Sequence, residues 1–178
     1  VTTQVPLVDL KAQYASIKPE IDEAIEHAIS RSDFILGQDV GRFEEEFAEC
    51  LGVKHVVTCN SGTDAIIFAL KASGIGKSDH VISVANTYVA TIFAITACGA
   101  IPVFCDINPE TQNIDMNQIE RMINNKIKAI IPVHLFGQPV PMDPLMRIAE
   151  KYKLAIIEDA AQAHLAEWKG RKVGSFGK

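Results

Sequence analysis

From His55 onward, short apolar runs rich in β-branched residues alternate with stretches of helical periodicity, and this alternation restricts the possible folds more than any other feature. The runs are His55 to Cys59, His80 to Val84, Ile101 to Cys105, Ile127 to Pro132 and Leu154 to Glu158. They read as five strands. Between them, Asp115 precedes Ile119, Met122 and Ile123, and Asp143-Pro144 precedes Leu145, Ile148, Ala149 and Tyr152 at helical spacing. Near-continuous apolar strands joined by single helices predict the α/β class, with three α/β/α layers and a mostly parallel sheet covered on both faces. The first 50 residues differ. Ile17, Ile21, Ile25 and Ile29 recur every four residues, a break follows from Phe34 to Gly41, and Phe43, Phe47 and Leu51 then line one side of an acidic stretch. The expected organisation is an N-terminal helical segment over 1–50 and an α/β domain over 51–178.

The stretch from Val81 to Cys105 has no Asp, Glu, Lys or Arg and is long enough to cross a bilayer. However, Ser83, Asn86, Thr87, Thr91, Thr96, Gly99 and Pro102 divide it into strand, turn, helix, turn and strand. A buried strand-helix-strand unit is therefore expected, with no membrane span. With 17 basic and 22 acidic side chains the net charge is −5, and no block of Lys or Arg offers a surface for nucleic acid or anionic lipid. The four cysteines form no C-x-x-C pair. The first residues lack a basic region followed by an apolar one, so a cytoplasmic protein with a small-molecule ligand is expected.

Ligands of open α/β sheets bind beyond the carboxyl ends of the strands. The residues placed there are Asn60-Ser61-Gly62-Thr63-Asp64, Asn86-Thr87-Tyr88, Asp106, Val133-His134-Leu135-Phe136-Gly137 and Asp159-Ala160-Ala161-Gln162. Ser61, Gly62 and Thr63 open a helix, where backbone N–H groups and the dipole favour a phosphate. The same residues also fit a capping box from Ser61 to Asp64. Asp159 ends a very apolar strand, so its carboxylate needs a cation, several donors, a helix to cap or a magnesium ion. Tyr88 fits either a core position or a stacking platform, and Gln162 and His164 fit plain structural positions. Taken together, a phosphate cradle, a flat aromatic, a carboxylate for a ring cation and an amide for a neighbouring oxygen match the requirements of pyridoxal 5′-phosphate (PLP). The carboxylate would keep the pyridine nitrogen protonated, so that the ring can act as an electron sink.

These residues stand in stretches that closely resemble the DegT-type (DegT/DnrJ/StrS) nucleotide-sugar aminotransferases, fold-type I PLP enzymes with an aspartate aminotransferase-like large domain. The stretches are Val8-Asp9-Leu10, Ser61 to Ala65, Asn86 to Thr91, Pro132 to Pro139, Glu158 to His164 and Val173 to Gly177. The resemblance implies that Ser61, Gly62 and Thr63 hold the phosphate and that Tyr88 and Ala161 cover the two ring faces. It assigns Asp159 to the pyridinium nitrogen and Gln162 to the ring hydroxyl oxygen, with His134 and His164 on the substrate side and no metal. Leu165 stands where the family usually has Gly.

Family members continue past Gly-Ser-Phe-Gly to a Schiff-base lysine, and Lys178 comes too early to be that residue. The resemblance thus implies an N-terminal portion, with an incomplete large domain over 51–178 and no small C-terminal domain, that is inactive alone. For the complete enzyme it implies transfer of an amino group from glutamate to a dTDP- or UDP-linked keto-deoxyhexose, 3-keto in one version, by a homodimer with shared active sites. Two other readings stay open at this stage: a dehydratase of the same family that uses the aminated cofactor, and a non-catalytic α/β binding or regulatory module.

Overall fold

The computed structural model describes residues 5–177, so Lys178 lies outside the described residues. The backbone divides between Glu46 and Phe47 into two units. In the first, α1 (Leu10–Arg31) begins at Asp9, whose carboxylate accepts the Ala12 N–H at 2.9 Å, and ends at Ser32, which has φ 52°. Its four isoleucines form the expected stripe, yet no residue of α1 is buried. Helix α2 (Gln38–Leu51) follows a turn in which Asp33 accepts the Gln38 N–H, and Arg31 pairs with Asp39.

The second unit carries α3 (Gly62–Ala72), β1 (His80–Val84), α4 (Val89–Ala97), β2 (Ile101–Cys105), α5 (Met116–Met122) and β3 (Ile127–Ile130). A single 3-10 turn at Leu135–Gly137 leads to α6 (Met142–Tyr152) and β4 (Ala155–Ile156), and a short hairpin of β5 (Glu167–Trp168) and β6 (Arg171–Lys172) follows. Strands β1 to β4 form one parallel sheet in the order β2-β1-β3-β4. Asp115 caps α5 as expected, accepting from Asn117. By contrast, α6 starts at Met142, with Asp143 in its first turn.

Side-chain alternation along the strands builds two cores. Val81, Ala129, Ile131 and Ile157 pack with Ile66 and Leu70 of α3 and with Ala94 and Ile95 of α4. Ile82, Ile130 and Ile156 point the other way, towards Ile119 of α5 and Leu145 and Ala149 of α6. This period of two is what places one helical layer on each face. Within the sheet, the Ser83 hydroxyl is fully buried and donates to the Ile131 carbonyl at 3.0 Å.

Two expectations need correction. His55–Cys59 joins no ladder, because the sheet ends at β2 and β4, and Val57 is 83% exposed. An apolar run becomes a strand only where a neighbour supplies hydrogen bonds and a layer covers its face. Nor is the sheet covered throughout: Ile101 and Phe104 on the edge strand β2 are exposed. The Val81–Cys105 stretch does fold into β1, α4 and β2, and among the described residues no helix is long and apolar enough to cross a membrane.

Because Leu145 is fully buried in the α5/α6 core, Leu145→Ala is expected to cost about 2–5 kcal/mol of unfolding free energy. Phe104→Ala, at a half-exposed edge position, should cost clearly less; equal shifts in a urea titration would contradict this core assignment.

Candidate functional site

A cavity of about 530 Å³ opens at the carboxyl ends of the strands and the start of α3. Its lining includes Ser61, Gly62, Thr63, Tyr88, Asp159, Ala161 and Gln162. Seven residues from three separate segments, one of them the start of α3, thus line one cavity.

The start of α3 carries the expected cap. The Ser61 hydroxyl accepts the Asp64 N–H at 3.1 Å and donates to the Asp64 carboxylate at 3.0 Å. This is the N-cap half of the expected box, with the Asp64 carboxylate meeting the Ser61 hydroxyl instead of its backbone N–H, and it commits the Ser61 side chain. Gly62 and Thr63 occupy the first turn, where N–H groups have no helical acceptor, and no atom lies within 4 Å of where a Gly62 Cβ would stand. The backbone there is open to a ligand.

Tyr88 is the residue before α4 and is 74% exposed, so it is not a core aromatic. Three residues on, the fully buried Thr91 donates its hydroxyl to Asp159 Oδ2 at 2.7 Å and lies 2.9 Å from the Thr87 hydroxyl. Asp159 Oδ1 accepts the Ala161 N–H at 3.2 Å. Its backbone is equally fixed, donating to the Pro132 carbonyl and accepting from the His134 N–H. Among the described residues no basic side chain pairs with Asp159, so a half-buried carboxylate is left with two neutral donors and no cation. On the facing loop, Phe136 adopts φ 56° and its N–H donates to Gln162 Oε1 at 3.0 Å. That contact occupies the Gln162 oxygen and leaves its NH₂ group available as a donor.

The two histidines lie elsewhere. His134 is fully buried and does not line the cavity: its Nδ1 accepts the Val140 N–H at 3.0 Å, and its Nε2 lies 3.2 Å from Glu158 Oε2. It is therefore not placed to touch a substrate, because both ring nitrogens are engaged inside the fold. His164 is exposed and lines a separate cavity of about 150 Å³ beside Phe47. Leu165 has φ 64°, in the left-handed region that costs a non-glycine residue roughly 1–2 kcal/mol; this accounts for the glycine usual at that position.

Sequence reasoning did not single out Thr91, Phe136 or Glu158. Thr91 carried a usable signal, since a hydroxyl within an apolar helix needs a partner. Burial pushes the Glu158 carboxyl up, but the His134 N–H and the amides of Gly177 and Gly174 outweigh it and hold the group below its ordinary value of 4.5.

The parallel sheet, with a polar rim cavity and a free helix start at its carboxyl edge, defines an α/β domain of the kind that binds a phosphorylated cofactor. A sequence profile described as the DegT/DnrJ/EryC1/StrS aminotransferase family matches residues 15–178. The chain belongs to this family. It is 46% identical over 97% of its length to the "pleiotropic regulatory protein" of Geobacillus stearothermophilus, of which it covers 46%. It is 40% identical over 98% of its length to the dTDP-3-amino-3,4,6-trideoxy-alpha-D-glucose transaminase of Streptomyces venezuelae, again covering 46%. The solved structure of S. venezuelae DesV matches with TM-score 0.95 and 40% identity over 98% of this chain and 47% of that one. NtdA of Bacillus subtilis with bound cofactor PMP matches with TM-score 0.87 and 35% identity over 92% and 38%. The chain spans about half the length of the curated relatives it matches.

Since the folded pKa of Glu158 lies below its unfolded value, its contribution to stability is complete above the ordinary glutamate range and is lost as pH falls through the folded pKa. Wild type and Glu158→Gln should therefore differ in Tm at neutral pH and converge as pH drops below 4.5. A Tm gap independent of pH would contradict this.

Proposed function

We propose that this chain supplies the cofactor-binding part of a PLP-dependent aminotransferase that moves an amino group from glutamate to a dTDP- or UDP-linked keto-deoxyhexose. The observation that carries this reading is the single cavity that gathers Ser61, Gly62, Thr63, Tyr88, Asp159, Ala161 and Gln162. The residues fit the group by their chemistry. Asp159 has two hydrogen-bond donors but no cation, and a protonated ring nitrogen is the partner such a carboxylate lacks. When bound, PLP would supply the electron sink that chemistry at the substrate α-carbon requires.

The protein's own part is positioning and charge. The Gly62 and Thr63 amides, together with the Thr63 hydroxyl, would hold the phosphate at the start of α3, with the cap on Ser61 fixing the direction in which the amides point. Tyr88 would cover one ring face and Ala161 the other. Asp159 would keep a proton on the ring nitrogen, its carboxylate held by Thr91 and the Ala161 N–H. Gln162, with its oxygen engaged by Phe136, would donate through its NH₂ to the ring hydroxyl oxygen. Support for the substrate class comes from the transaminase relative described above. A cytoplasmic homodimer is proposed from the family resemblance alone. The description of the Geobacillus relative favours a second reading, a regulatory module that keeps the cavity without the chemistry.

The test is to add PLP to the full-length protein, follow cofactor absorbance, and then assay release of 2-oxoglutarate from glutamate. Absorbance with turnover is expected; neither one would favour the regulatory module. Asp159→Asn, nearly isosteric, should retain the fold and lower turnover on the order of 10²-fold, the scale of losing one preorganised electrostatic partner. Thr63→Ala should weaken PLP affinity about tenfold, the scale of one hydrogen bond to a charged group, with turnover recovered at saturating cofactor. A loss that excess PLP cannot repair would count against phosphate holding.

A further inference from the structure

Glu158 and Asp159 are consecutive carboxylates just past β4. Glu158 is almost completely enclosed, with 2% of its side chain exposed. Its Oε1 accepts the N–H groups of Phe176 at 2.6 Å and Gly177 at 2.8 Å, and its Oε2 accepts the Gly174 N–H at 2.8 Å. His134 Nε2 lies 3.2 Å from Oε2. Since His134 Nδ1 accepts from Val140, the ring proton sits on Nε2 and is donated to the carboxylate. All four principal acceptor positions are thus engaged, and no lone pair is left to take a proton from a substrate.

The three amides belong to the chain that returns along the back of the Asp159–Gln162 turn. A Cβ on Gly174 would stand 3.7 Å from the Ala160 Cβ, and one on Gly177 only 2.5 Å from the Ile156 carbonyl oxygen. Val173 and Ala163 are each 2% exposed and line one small cavity between the two segments. The returning chain is therefore in contact with both β4 and the turn that carries Asp159, Ala161 and Gln162.

We infer that Glu158 is a positioning residue, and that its carboxylate, oriented by His134, clamps Gly174–Gly177 behind the turn and so fixes the polar groups that face the cavity. The consequence for PLP rests on the functional reading above, whereas the clamp itself does not. Two His134 substitutions separate the clamp from general packing. Glutamine reaches the Nε2 position and can donate to Glu158; asparagine reaches only the Nδ1 position and keeps the Val140 contact.

The experiment is amide hydrogen exchange on the full-length protein without cofactor, followed by PLP titration read by absorbance, for wild type, Glu158→Gln, His134→Gln and His134→Asn. In Glu158→Gln and His134→Asn, exchange at Gly174, Phe176 and Gly177 should rise about tenfold or more, the scale of a lost charge-assisted bond. Exchange at Ala161 and Ala163 should rise with it, and PLP affinity should fall. His134→Gln should stay near wild type in each respect. Unchanged exchange in Glu158→Gln overturns the clamp, as does wild-type behaviour of His134→Asn together with loosening of His134→Gln. A rise confined to residues 174–177, with the turn unaffected, overturns positioning in favour of a local tie. A wild type that takes up no PLP removes the functional reading, and the Ala161 and Ala163 amides still decide the clamp.

Discussion

The candidate site depends on where the polypeptide stops being sheet. Past β4 the Asp159 backbone still bonds to Pro132 and His134, so this cavity-lining residue is held with the rigidity of the strands behind it. A carboxylate placed this way cannot drift to bulk solvent, and its separation from the α3 start is set by sheet and helix packing rather than by loop conformation. That separation is the dimension a bridging ligand must match. Rigid elements hold such a dimension better than loops.

The cavity wall is also tied together by polar contacts that the hydrophobic layers alone would not specify. Thr91 links α4 to Asp159, Phe136 links the 3-10 turn to Gln162, and Glu158 links the strand end to the returning chain. Each contact joins segments far apart in sequence. At the buried Thr91 and Glu158 an unmet partner would leave a desolvated polar group, so these two contacts disfavour alternative arrangements as well as stabilising this one.

Much of this was legible from the sequence because its cause is local. Strand runs and the Asp115 and Ser61 caps all follow from residues within a few positions of one another, and the rim follows from topology once strands and helices alternate. What escaped depends on distant partners. The run His55–Cys59 has strand composition, but joins no ladder of the sheet. His134 looks like a site histidine in its own stretch, and only its contact with a residue 24 positions away reveals a buried one. The positive φ of Phe136 likewise has no compositional mark, since the residue is neither Gly nor Asn.

The contrast between the two neighbouring carboxylates explains why one is structural and the other receptive. Glu158 and Asp159 both meet donors at one strand end, where a carboxylate withdrawn from water needs them. Glu158 receives four, all from within the chain, and is complete. Asp159 receives two and faces the cavity. Further stabilisation of Asp159 has to come from whatever enters that space, and the group best able to give it is an N–H that carries positive charge. A neutral donor would satisfy the geometry but leave Asp159 without a counter-charge, which is why the proposed ligand is one that brings a cation to it.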